Sequence, residues 1–320
     1  MRIPLALPLL LGASVAMAQS DPDALGWLQR IYTATQKLSY TGTFVYQRGN
    51  QVETSRITRI VDAKGPRERL ETLDGIPREI IRNRDEVLCY LPGTMTIKID
   101  KQIGGMEYPS IFPGHIGELA EHYYVRNGGV ERVAGLECRV LVLEPKDKLR
   151  YGHKLWADLA SGMLVKAKTL NEKNVALEQF AFTELKIGGN IDRERVNSRF
   201  KARGHDWHVE NAQVVESNLA QAGWTIRSAP PGFRKITEMT RTLGGTPGVG
   251  HIVFSDGLAA VSVFIEPAKS SGVHTPGLAH QGIINVYTRQ LGEHWITVLG
   301  ETPAESVRLI ANAVEYRKPR

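Results

Sequence analysis

Apolar and polar side chains alternate along most of this chain in short runs separated by Gly, Asp and Asn. That period of two is the mark of antiparallel strands with one face buried and the other in water. The pattern is densest over residues 67–93, where Asp74-Gly75 and residues 83–86 supply turns between strands in which apolar and charged residues interleave. Over 39–46, Tyr40, Gly42, Phe44 and Tyr46 alternate with Thr41, Thr43 and Val45, and 52–61 follows as hairpin partner across Arg48-Gly49-Asn50. Further strands are predicted at 95–99, 130–133, 137–143, 154–158, 163–170 and 176–187, with Ala160-Ser161-Gly162 turning one hairpin. A sheet of roughly nine or ten strands cannot stay flat, so it should curl into a half-open or closed barrel.

Helical periodicity is confined to a few segments. Asp21 is a plausible N-cap with Pro22 at the first helical position, and Leu25, Leu28, Ile31 and Tyr32 share a face over 21–32. Residues 104–129 differ in character, with Tyr108-Pro109-Ser110-Ile111-Phe112-Pro113-Gly114 ahead of a helical run at 116–124 that would lie over the concave side of the sheet. After 192 the alternation gives way to a polar, charge-rich stretch, read as the end of the large domain and a linker that can serve as a hinge. Strands resume at 236–242, 249–255 and 259–266, the last two joined at Asp256-Gly257, and again at 283–289 and 294–300 about Leu291-Gly292-Glu293. Residues 267–282 read as a long polar loop. Thr302-Pro303-Ala304-Glu305 reads as a capping box opening a helix whose Val307, Ile310 and Val314 share one stripe.

The fold class expected is therefore mainly β: a large unclosed barrel crossed by helices, followed by a small α+β domain. With 320 residues, 42% of them hydrophobic, the chain is long enough for two cores, and 31 Gly with 16 Pro suit a turn-rich protein. Met1-Arg2, the apolar run 3–15 and Ala16-Met17-Ala18 read as a secretory signal. That apolar run is shorter than the ~20 residues a membrane span requires, so a soluble exported protein beginning at Gln19 is expected. The boundaries expected are a signal at 1–18, a large domain at 21–192, a linker at 193–222 and a small domain at 223–320. The formal charge of +6 favours anionic partners such as acidic protein segments or lipid headgroups, and export argues against nucleic acid. Export also permits a disulfide between Cys89 and Cys138, both in strand-like runs, the alternative being two buried thiols.

Candidate chemistry is sparse. Ser198-Arg199-Phe200-Lys201 matches a Ser-x-x-Lys pattern but lies in the polar linker, and no Lys-Thr-Gly accompanies it. His205 and His208 flank Asp206 without a third metal ligand at suitable spacing, and Gly244-Gly245-Thr246-Pro247-Gly248 lacks the Gly-Lys-Ser/Thr of a phosphate loop. No catalytic residue, metal or cofactor is assigned, which directs the reading to a binding protein.

Five pieces in order, Ser39-Tyr40-Thr41-Gly42-Thr43-Phe44-Val45-Tyr46, Leu73-Asp74-Gly75-Ile76-Pro77-Arg78-Glu79, Cys89-Tyr90-Leu91-Pro92-Gly93, Pro231-Gly232-Phe233 and Phe254-Ser255-Asp256-Gly257-Leu258, resemble the MucB/RseB family over essentially the whole mature chain. The resemblance implies a periplasmic regulator of the envelope-stress sigma factor. Such a protein binds the periplasmic part of a membrane-spanning anti-sigma factor, RseA or MucA, and shields it from a DegS-type protease. It further implies a large domain like the lipoprotein carriers LolA and LppX, with an amphiphile as second partner: lipopolysaccharide or lipoprotein acyl chains. A lipid or lipoprotein carrier is the alternative, and homo-oligomerisation stays open. On alternating strands and the first helix, Trp27, Tyr40, Phe44, Tyr46, Trp156 and Phe180 are the candidate lipid-binding residues. Arg195, Arg199, Lys201, Arg203, Arg227, Arg234 and Lys235 gather around the joint and are the candidates for steering an acidic partner segment.

Overall fold

A computed structural model describes residues 21–84, 86–101, 116–200, 207–211, 214–269 and 274–318. The signal-like start, residues 104–115 and the candidates Lys201 and Arg203 lie outside them. Helix α1 (Pro22–Lys37) starts where expected, with the Asp21 side chain accepting from the Asp23 amide, and runs five residues further than its apolar stripe suggested. Ala24, Trp27, Leu28, Ile31 and Ala34 form its buried face.

Strands β1 (Tyr40–Arg48), β2 (Gln51–Asp62), β3 (Gly65–Thr72), β4 (Glu79–Arg82), β5 (Glu86–Leu91) and β6 (Thr96–Lys101) follow. Helix α2 (Ile116–His122) leads into β7 (Tyr123–Val133), β8 (Leu136–Pro145), β9 (Gly152–Asp158), β10 (Leu164–Leu170) and β11 (Ala176–Ile187). With β12 (His208–Asn211) these make one twelve-stranded sheet, ordered β12-β6-β5-β4-β3-β2-β1-β11-β10-β9-β8-β7. Its two edges, β12 and β7, do not pair with each other, so the barrel is unclosed. Leu28 and Ile31 of α1 and Leu119 of α2 pack with Leu141, Leu155 and Leu164 of the sheet. A second core holds Tyr40, Phe44, Ile57, Trp156 and Phe182.

That second core depends on a close approach at Gly42. A Cβ there would stand 2.6 Å from the Glu184 carbonyl oxygen and 2.8 Å from the Phe182 ring. Gly42→Val is expected to destabilise the large domain by about 1–3 kcal/mol, as overpacking does. Urea unfolding of the two proteins measures this, and equal midpoints would show that β1 and β11 can spread.

The small domain comprises β13 (Val214–Glu216), β14 (Trp224–Ile226), β15 (Arg234–Leu243), β16 (Thr246–Ser255), β17 (Ala260–Pro267), β18 (Gly277–Gln281), β19 (Ile284–Leu291), β20 (His294–Gly300), helix α3 (Ala304–Ala313) and β21 (Val314–Tyr316). Its main sheet is ordered β13-β15-β16-β17-β20-β19-β18, and β14 pairs with β21. Val307, Ile310 and Ala311 of α3 pack on Val261, Val263, Ile296 and Val298.

Three features depart from the sequence reading, and a fourth falls on one of the two alternatives it left open. The capping box does not form: the helix starts one residue later than expected, with Pro303 as an N-cap that has no side-chain donor or acceptor to offer, and the buried Thr302 hydroxyl makes no capping bond. Residues 277–281, read as loop, are an edge strand whose exposed side chains give no alternation. The polar stretch after 192 is docked along much of its length. It contributes β12 to the large sheet, pairing in parallel with β6, and β13 to the small one, so the crossing from sheet to sheet falls between Asn211 and Val214. Cys89 and Cys138, for which a disulfide or two buried thiols stood as alternatives, are both free thiols, Cys89 half-buried on β5 and Cys138 buried on β8, with seven strands between them in the sheet order. Burial pushes the Cys138 thiol up to about 11, so it behaves as a small apolar side chain.

Candidate binding site at the domain joint

Arg150 is the hub where the two domains meet. It sits in the turn between β8 and β9, and its side chain is fully buried, as is that of Asp256. Its Nη1 donates to Asp256 at 2.9 Å, its Nε donates to Asp147 at 3.1 Å, and Nη2 donates to the Pro231 carbonyl. The guanidinium also lies 5.5 Å from the Tyr123 ring centroid and 5.4 Å from that of Phe233. Asp256 serves both domains. Its Oδ1 accepts from the amides of Leu258 and Ala259, fixing the β16–β17 turn, while Oδ2 accepts from the Tyr123 hydroxyl at 3.1 Å. Burial, with Asp256 beside it, holds the Tyr123 phenol well above its ordinary pKa. The tight turn at Gly232 has φ +82°, and any Cβ there would collide with the His122 ring.

Further contacts span the joint. Arg234 on β15 pairs with Glu118 on α2 at 3.0 Å, Arg241 with Asp100 on β6 at 3.2 Å, and Arg48 on β1 with Glu301 at 3.3 Å. The Ser306 hydroxyl at the start of α3 donates to the Leu149 carbonyl, and Asn285 donates to the Tyr151 hydroxyl at 3.2 Å. The domains are thus held by a buried ion pair and by satellites on both sides of it.

The expected basic cluster divides. Arg195 and Arg199 lie against the large sheet, where Arg199 pairs with Glu71. Arg227 pairs with Glu315 beside β21, Lys235 pairs with Glu238 at 3.1 Å on its own strand, and Arg234 alone of the described set reaches across to the large domain. The six aromatic candidates lie within or against the two cores of the large domain. Trp27 packs under α1, covered by Arg30 at 4.1 Å, and Tyr40, Phe44 and Trp156 are buried in the second core. Tyr46 and Phe180 are half-buried at its margin, and Phe44 meets Phe180 edge to face at 6.3 Å. Sequence reasoning missed Arg150 and Tyr123. Asp256 was read only as a turn residue.

Two buried histidines give this arrangement an acid limit. Burial lowers the pKa of His153, next to Tyr123 on β9, below its ordinary 6.5, against the pull of Asp256. Burial and then Arg241 bring His251 down to about 4. Below pH 6.5 the unfolded chain takes up protons that the folded one refuses, so this stability is complete above 6.5 and is lost as pH falls towards 4, at up to about 1.4 kcal/mol per pH unit for each group. Unfolding free energies measured from pH 7 to 4 should fall with that slope, and His251→Gln should flatten it. An unchanged slope in the variant would remove His251 from the account.

The model of the MucB/RseB N-terminal domain matches residues 23–200, and that of the MucB/RseB C-terminal domain matches residues 218–315. The chain belongs to the MucB/RseB family. It is 32% identical over 317 residues to the sigma factor AlgU regulatory protein MucB of Pseudomonas aeruginosa, covering 96% of each chain. It is 24% identical to the sigma-E factor regulatory protein RseB of Escherichia coli (strain K12), covering 94% of this chain and 93% of that one. Among solved structures, MucB in complex with MucA(peri) superposes with a TM-score of 0.69 at 30% identity, over 92% of this chain and 99% of that one. The Pseudomonas aeruginosa MucA/MucB complex superposes with a TM-score of 0.70 at 29% identity and the same coverage. In this MucB/RseB chain two of the pieces that carried the resemblance, Pro231-Gly232-Phe233 and Phe254–Leu258, converge on Arg150.

Proposed function

We propose that this chain is a periplasmic negative regulator of an envelope-stress sigma factor. It grips the periplasmic part of a membrane-spanning anti-sigma factor, keeps a protease from it, and lets go when an amphiphile such as lipopolysaccharide or a lipoprotein acyl chain binds the large domain. The observation that carries this reading is membership of a family whose relative MucB, similar along 96% of this chain, is named as a sigma factor regulator and has been solved with MucA(peri). The two-domain layout supports a clamp over a simple carrier, because a carrier needs only the large sheet. We read the protein as a binder and not an enzyme. Among the described residues no helix is long and apolar enough to cross a membrane.

The test is titration of the mature chain with the periplasmic domain of the anti-sigma factor from the same organism, together with the domain's lifetime under protease. Tight binding and protection are expected, and absence of both would overturn the reading. Charge reversal at Arg195 and Lys235, both exposed, should slow association at low salt and matter less as salt screens the encounter. Equal rates would take those residues out of the interface. A lipopolysaccharide fragment should lower affinity for the segment by roughly 5- to 150-fold, and by reciprocity the segment should weaken lipid binding by the same factor. Equal affinities in both arms would leave a shield without a lipid switch.

A further inference from the structure

The segment after β11 covers one face of the large sheet, and the covering leaves a charged hollow. Ile57 and Leu70 point into the second core, so their neighbours Arg56, Thr58, Arg69 and Glu71 occupy the opposite face of β2 and β3. Across that face runs the turn Arg193–Val196, capped by Asp192 and anchored by buried Val196. Arg193 reaches Asp62 at 3.4 Å, and Arg69 donates to the Arg195 carbonyl at 3.3 Å. Between segment and sheet lies a cleft of about 200 Å³ lined by Arg56, Thr58, Arg69, Glu71, Arg195 and Arg199.

Four guanidinium groups share this hollow with few counter-charges. Glu71 is divided among Arg69 at 3.2 Å, Arg56 at 4.0 Å and Arg199. Glu79, buried behind them, takes Arg69 at 2.6 Å and the Ser198 hydroxyl. Two positive charges remain in excess. The Arg195 guanidinium has no protein partner among the described residues, and Arg56 meets Glu71 only at the limit of an ion pair. Gathering like charges at this density is unfavourable unless something of opposite sign enters.

The geometry points to an oxyanion site: the cleft takes a phosphate dianion, either free phosphate or a phosphate monoester on a sugar. Guanidinium forks bind the tetrahedral oxygens in pairs, and the Thr58 hydroxyl on the cleft wall supplies a further donor. A dianion matches the excess of two charges, whereas one carboxylate would leave half of it. The site shares Arg195 with the peptide grip proposed above but does not rest on it, since phosphate binding is measured on the chain alone.

Isothermal titration of the mature chain with inorganic phosphate and with glucose 1-phosphate, at low ionic strength, decides the matter. Binding is expected, with Arg56→Ala and Arg195→Ala each weakening it by about tenfold and Arg195→Lys by less, because a lysine keeps the charge but loses the fork. Both arginines are exposed, so the variants should keep the parent melting temperature, and Lys173→Ala, at an exposed turn away from the cleft, serves as a control that leaves phosphate affinity unchanged. Sugar phosphate binding about tenfold tighter than phosphate would assign the site to a headgroup, and equal binding would assign it to the free anion. No heat from either ligand, or an Arg56→Ala/Arg195→Ala double variant that binds like the parent, overturns the proposal.

Discussion

Replacing Arg150 by Met is expected to destabilise the protein by about 3–5 kcal/mol, the cost of removing one partner from a buried ion pair. The reason lies in what remains. Asp256 would keep its two backbone donors and the Tyr123 hydroxyl but lose its counter-charge, with no exposed surface through which water could replace it. The Pro231 carbonyl and Asp147 would lose a donor as well. For a domain of this size the midpoint should fall by on the order of 10 °C. Calorimetry should then show the two domains melting apart, because the hub joining β8–β9 to the β16–β17 turn is gone. Arg150→Met with Asp256→Leu should be less harmful than the single change, since no unpaired charge stays buried. A loss below about 1 kcal/mol in the single variant would mean that Asp256 finds other compensation, and the joint would not be the lock described.

What could be read from the sequence follows how local its cause is. Strand β1 was legible because it alternates between a buried and a half-buried face, so Tyr40, Gly42 and Phe44 announced themselves against Thr41 and Thr43, whereas β16 was legible as a mostly apolar run that is buried without a break from Val249 to Phe254. The edge strand β18 was not, since Gly277-Leu278-Ala279-His280-Gln281 buries almost nothing and its ladder is made by backbone alone. Strands β12 and β13 are short edges inside a run rich in charge, where pairing partners as far apart as His208 and Thr96 or as near as Val214 and Arg241 leave no periodic trace. Arg150 was invisible for a related reason. A single arginine in a polar turn reads as surface, and its burial depends on Pro231 and Asp256, 81 and 106 residues further along. The aromatic residues of the large domain were legible as a set, because strand alternation places them, but their mutual packing into two cores depends on how the sheet curls. The basic residues were legible only as a composition. Which of them pair, and with what, is decided by the docking of the segment after β11 onto the sheet.

That docking rests on one carboxylate. Glu79 is almost fully buried on β4, accepting from Arg69 Nε at 2.6 Å, from the Ser198 hydroxyl and from the Arg199 amide at 3.4 Å. It therefore ties a sheet arginine and the connecting segment to the same point. Beyond it, Tyr90, Phe200 and Trp207 form an aromatic cluster with centroids 5.7–6.3 Å apart, which carries the segment on to β12. Glu79→Ala should leave Arg69 largely buried and short of its best partner, at a cost of about 3–5 kcal/mol. Part of that loss should be local. The segment 193–211 should loosen from the sheet before the domain unfolds, because its ion pairs from exposed Arg193 and Arg199 are of small worth and only Val196, the aromatic cluster and the short β12 ladder would still hold it. Hydrogen exchange should quicken at Arg195–Phe200 and at β12 while the β8 and β9 amides keep their protection, and limited proteolysis should cut within 193–211. Uniform loss of protection across the whole large sheet would show instead that Glu79 supports the domain and not the segment.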